Sequence, residues 1–126
     1  MPQDQFTRAY IEAALWSSTD DDGKPLDSLD AELAPQTIAK MESDCAQFQL
    51  ENAELLAEDH RTSARAAYGC TVAESAGHDF WLTRNGHGAG FWDGDWEEPA
   101  ATKLTEASKQ FGEIYLYIGD DGLIYC

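Results

Sequence analysis

The chain has 126 residues, 24 of them acidic and 8 basic, for a net charge of −16. That length fits one domain with a core of its own, and 43% hydrophobic residues exclude wholesale disorder. The charge argues against direct binding to nucleic acid or to an anionic membrane, and the longest apolar run, residues 114–118, is far too short to span a bilayer.

Taken in chain order, residues 5–16 predict a first helix. Phe6, Tyr10 and Ala14 recur at four-residue steps, and Ile11 and Leu15 widen the stripe. Residues 17–34 read as an irregular acidic segment, broken by Asp20-Asp21-Asp22-Gly23 and Pro25. Pro35 suits the first turn of a second helix of about 22 residues, with Ile38, Met41, Cys45, Phe48 and Leu55 as its apolar stripe. Residues 60–76 predict a third helix with a thin face of Ala64, Ala67, Tyr68 and Val72, stopped by Gly77.

The period then changes to that of a strand. Asp79-Phe80-Trp81-Leu82-Thr83-Arg84 precedes Asn85-Gly86, a strong hairpin signal. A two-residue turn there sets Phe80 opposite Phe91, Leu82 opposite Ala89 and Arg84 opposite His87. Residues 93–99 form an acidic loop. Residues 100–111 predict a short helix through Leu104, Ala107 and Phe111, stopped by Gly112. A second hairpin pairs residues 114–118 with 123–125 around Gly119-Asp120-Asp121-Gly122. The expected fold is α+β, a single domain over residues 1–126, with three to four helices on a small antiparallel sheet made of two β-hairpins.

Charge is unevenly spread. Residues 1–59 hold 14 acids and 3 bases, residues 60–92 hold 2 and 3, and residues 93–126 hold 8 and 2. The second helix sets Asp44, Glu51, Glu54 and Glu58 opposite its apolar stripe. At three- and four-residue steps these carboxylates stand roughly 5–6 Å apart, close to the phosphate spacing along a DNA strand. Such a row, with Asp20, Asp21 and Asp22 as a second acidic edge, would dock onto a basic nucleic-acid-binding surface of another protein. The plainer role of such a face is solubility. The hairpin offers another surface, built from Trp81, Arg84, His87 and Trp92.

Chemistry-bearing patterns are weak. If Gly23 held the sixth position of a calcium loop, the twelfth would be Leu29, which offers no carboxylate. His78 and His87 fall at opposite ends of the predicted hairpin, some 25 Å apart at about 3.3 Å per residue, too far to share a metal. Gly86-His87-Gly88-Ala89-Gly90 has no phosphate-loop spacing. Cys45, Cys70 and Cys126 are an odd number without ligand spacing. With no apolar leader near Asp4 and Glu12, free thiols in a reducing cytoplasm are expected. No catalytic residue, metal or cofactor is expected, and a metal-dependent enzyme is the least favoured reading.

The stretch from His78 to Asp93, HDFWLTRNGHGAGFWD, together with residues 10–20 and 118–125, resembles a family of small acidic accessory proteins carried by bacteriophages and prophages. The resemblance implies a phage accessory protein in a bacterial cytoplasm and transfers no catalytic residue. Small acidic phage proteins often block host proteins, including defence and recombination machinery, and that analogy of class adds weight to a non-enzymatic binder of a host nucleic-acid-binding protein, by DNA mimicry. An interaction module using the Trp/Gly hairpin is the alternative.

Overall fold

The computed structural model describes residues 4–20, 22–57, 60–61, 71–87, 90–92 and 96–126. Among these, four α-helices run in chain order: α1 (Gln5–Ser17), α2 (Pro35–Glu51), α3 (Val72–Arg84) and α4 (Ala100–Gln110). Strands β1 (Tyr117–Ile118) and β2 (Ile124–Tyr125) form one antiparallel ladder, with Tyr117 opposite Tyr125 and Ile118 opposite Ile124. The fold is α+β, with one hairpin among the described residues.

Asp4 starts α1 by accepting the Thr7 N–H at 2.8 Å. Its other oxygen takes the Gln49 side chain of α2 at 3.2 Å, so the cap also ties two helices. Burial raises the Asp4 pKa, but the hydrogen bonds from Thr7 and Gln49 and the nearby Arg8 outweigh it and hold the carboxyl below its ordinary value. A depressed carboxylate contributes stability above its unfolded pKa and loses it as pH falls through the folded one. Asp4→Ala is therefore expected to cost about 1 kcal/mol at neutral pH. That penalty should shrink below about pH 4, as urea unfolding at the two ends of that range would show.

α3 runs through the centre. Thr71 and Glu74 form a reciprocal capping box at its start. Its buried residues include Ser75, Ala76, Gly77 and Asp79 through Arg84, so nearly every face is covered. α1 lies along it with the most extensive packing of any helix pair. The approach is close at Gly77, where a Cβ would stand 2.1 Å from the Phe6 carbonyl oxygen. Phe80 stacks on Phe48 of α2 at 4.1 Å between centroids, and Trp81 meets the Tyr10 ring edge-on at 5.4 Å. Phe91, Phe111 and Leu104 close the same core.

Three sequence expectations change here. The third helix begins at Val72, passes through Gly77 and ends at Arg84, while residues 62–70 of the expected span lie outside the described residues. The first hairpin is replaced because residues 79–84 are helical; Ala89, one expected partner, lies outside the described residues. Asn85-Gly86 is instead the stop of α3. Gly86 has φ +69°, its N–H donates to Thr83 O, and the His87 N–H donates to Leu82 O at 3.0 Å, the paired bonds of a Schellman cap. α2 has 17 residues and gives way to turns at Asn52.

The first and fourth helices lie where their patterns place them, the second starts as expected at Pro35, and the second hairpin forms with a shorter ladder, residues 117–118 against 124–125. Segment 18–34 is irregular but tethered. Asp20 Oδ1 accepts the N–H groups of Asp22 and Lys24 at 2.9 Å each. Leu26 is buried beside α1, and Leu33 pairs with Ile124 in a parallel bridge.

Candidate functional site

The predicted site residues separate into buried and exposed sets. Arg84 leaves the last turn of α3 and its side chain is fully buried. Nη1 donates to Asp44 Oδ2 at 2.9 Å and to the Tyr10 hydroxyl at 3.1 Å. Nε and Nη2 donate to the carbonyls of Gly112 and Phe111, at 2.8 and 2.9 Å. Those carbonyls lie just past α4, where helix-end oxygens favour a cation. The guanidinium lies within 5.6 Å of the Phe80 and Phe111 ring centroids. One side chain thus joins α1, α2, α3 and the end of α4. Burial also pushes the Tyr10 hydroxyl above its ordinary pKa, keeping it a neutral partner at physiological pH.

Two expectations are corrected by this network. Asp44 is 4% exposed and its oxygens are taken by Arg84 and Lys40, so it leaves the acidic row. Trp81 and Arg84 are each 2% exposed, so neither is a surface anchor. Trp81 Nε1 donates to Ser17 Oγ at 2.8 Å. Three more described residues of the distinctive motif are engaged within the fold. Asp79 accepts the Trp96 indole N–H at 2.8 Å, Thr83 accepts the Phe91 N–H, and Asn85 accepts the Ile114 N–H. His87 is half-buried, and Trp92 remains as the exposed aromatic of that surface.

Glu51 and Glu54 are exposed, but they share a hollow with Lys103, and Glu54 lies beyond the end of α2. Asp21 and Glu58 lie outside the described residues. The regular row along α2 is therefore not formed by Asp44, Glu51 and Glu54. The helix itself carries Lys40 and three acids, one of them neutralised by Arg84.

Charge gathers elsewhere. Residues 18–34 hold 6 acids and 1 base, and residues 113–126 hold 3 acids and no base, which together make −8 of the −16. The fold lays these two segments side by side. Ile124 donates to Glu32 O at 2.8 Å, its carbonyl accepts the Ala34 N–H at 2.9 Å, and the Thr37 hydroxyl adds a third bond at 2.9 Å. Asp20 and Asp22 share a hollow with Leu116, Tyr117 and Ile118. Asp120 and Asp121 line a second hollow with Tyr117 and Tyr125. Pairwise sequence spacing along one helix cannot reveal this end, because it is assembled across about ninety residues of chain.

Among the described residues no group of three His, Cys, Asp or Glu is placed to hold a metal ion. His78 stands 3.9 Å from Glu12. Burial raises the Cys45 thiol well above its ordinary pKa, which suits a packing role. No described helix is long and apolar enough to cross a membrane. Comparisons with protein-family models, curated proteins and solved structures find no match to this chain.

Proposed function

We propose that the protein is a phage-type accessory binder that acts without catalysis, by occupying a basic, nucleic-acid-binding surface of a host protein in the bacterial cytoplasm. The observation that supports it is the meeting of segment 18–34 with the β-hairpin, which sets Asp20 and Asp22 beside residues 116–118 while Asp120 and Asp121 occupy the hairpin turn. A fixed array of carboxylates steers a basic partner at low salt and competes with phosphates for the same groove. The array differs from the helical row of the sequence reading in being irregular. Mimicry here is of charge density, not of a regular phosphate repeat.

Neutralising Asp20, Asp22, Asp27, Asp120 and Asp121 to Asn is expected to abolish capture of a nucleic-acid-binding host protein at about 50 mM salt. The slope of log Kd against log salt should flatten in the same variant. Neutralising Glu51 and Glu54 should change little, because they line a separate hollow with Lys103. Equal capture by the wild type and the five-site variant would end this reading.

A further inference from the structure

Resting on the acidic end as the binding end, we infer that the outer edge of β1 is an open strand position that takes an extended Lys/Arg-bearing segment of the partner protein. Antiparallel neighbours alternate between bonded and non-bonded pairs. The Gly119 N–H donates to Leu123 O at 2.8 Å, which makes that pair a bonded one. Ile124 turns both of its backbone groups away from β1, toward Glu32 and Ala34. Its opposite number, Ile118, must then turn its own N–H and C=O away from β2. Leu116, two residues earlier, faces the same way. Among the described residues neither makes a backbone hydrogen bond on that side.

The order is therefore the 32–34 segment, β2, β1, with no further strand beside β1 among the described residues. A hollow of about 430 Å³ is lined by Leu116, Tyr117 and Ile118 together with Thr19, Asp20 and Asp22. An unpaired edge is a template for one more strand. Charge decides which strand. A second copy of this chain would bring its own Asp20, Asp22, Asp120 and Asp121 against the same residues, and like charges in opposed positions repel. A basic strand meets the opposite field.

The open face of the hairpin adds a second complement. Tyr115 and Tyr117 are 66% and 56% exposed, and Tyr117 stacks on Tyr125 with centroids 5.9 Å apart. The Tyr125 hydroxyl donates to Asp121 Oδ2 at 2.5 Å, holding a carboxylate beside the rings. Lys or Arg side chains of an added strand would lie across these rings and reach that carboxylate.

The test uses a synthetic Lys-Val-Lys-Val-Lys-Val peptide and the same peptide methylated at every backbone nitrogen. Methylation keeps the charge and removes the donors. The parent peptide is expected to bind the full chain at about 50 mM salt and to slow amide exchange at Leu116 and Ile118. The methylated peptide should bind at least about tenfold more weakly. Ile118→Pro, which deletes an outward N–H and spares the bonds of Tyr117 and Gly119, should weaken the parent peptide where Ile118→Ala does not. Equal affinity of the two peptides would overturn the edge and leave the acidic binder standing. No binding of the parent peptide would also overturn it. Failure of the acidic binder itself is read separately, from unchanged partner capture by the five-site Asn variant.

Discussion

Arg84→Ala is expected to cost about 3–5 kcal/mol, the range for deleting one partner of a buried ion pair. The deletion strands Asp44, the Tyr10 hydroxyl and the carbonyls of Phe111 and Gly112 at once, all of which lose a donor at 2.8–3.1 Å. Asp44 is the costly one, because Lys40 alone remains beside a carboxylate that stays out of water. For a domain of this size the melting temperature should fall by roughly 10–20 °C. Arg84→Lys should rescue only part of this, since an ammonium cannot reach four acceptors from a flat fork. Asp44→Ala made on top of Arg84→Ala should add less than it costs alone, because the pair shares one network. Urea unfolding of the four proteins reads all of this. A loss under about 1 kcal/mol for Arg84→Ala would make the pair equivalent to a surface ion pair and contradict its burial.

Gly77→Ala should also destabilise, against the direction of helix propensity. On an open helix this change gains about 1 kcal/mol. Here the new methyl would stand 2.1 Å from the Phe6 carbonyl oxygen and 3.1 Å from the Ala9 Cβ. The obstacle is backbone, so relief requires α1 and α3 to move apart. Overpacking of this kind costs about 1–3 kcal/mol, occasionally more, and should outweigh the propensity gain. Ala76→Gly beside it serves as the control, since it removes propensity without adding bulk. A Gly77→Ala protein as stable as the wild type would mean that α1 is not held at this distance.

These two positions also show where reading the chain as a string succeeds and fails. The stripes of the first, second and fourth helices were legible because each has one wet face, so apolar residues recur at helical steps. α3 has almost no wet face. Its buried Asp79, Thr83 and Arg84 interrupt the apolar residues, and what remains, Phe80 and Leu82 against Trp81 and Thr83, alternates like a strand. The capping pattern Thr71-Val72-Ala73-Glu74 marked the true start of the helix. Asn85-Gly86 misled because a residue pair that favours positive φ serves a helix stop as well as a hairpin turn. Gly77 has the pattern of a helix stop in the sequence, and in the fold it marks a close approach of two helices. For the candidate site, Asp20 and Asp22 were identified as an acidic edge. Asp120 and Asp121 read locally as turn residues, because nothing near them in the sequence links them to segment 18–34. Asp44 was assigned to the acidic face because its spacing says nothing of an arginine 40 residues away.

The stitch between the 32–34 segment and Ile124 also sets an order of events during synthesis. Thr37 and Ile124 are 87 residues apart. At about 5–20 residues per second, segment 18–34 leaves the ribosome roughly 4–17 s before the strand that fastens it. Through that interval its six acids are tethered to a nascent chain with no β2 to organise them. Through that time the segment's own Leu33 has no strand to pair with. The assembled form of the acidic end therefore exists only once the chain has been made through Ile124.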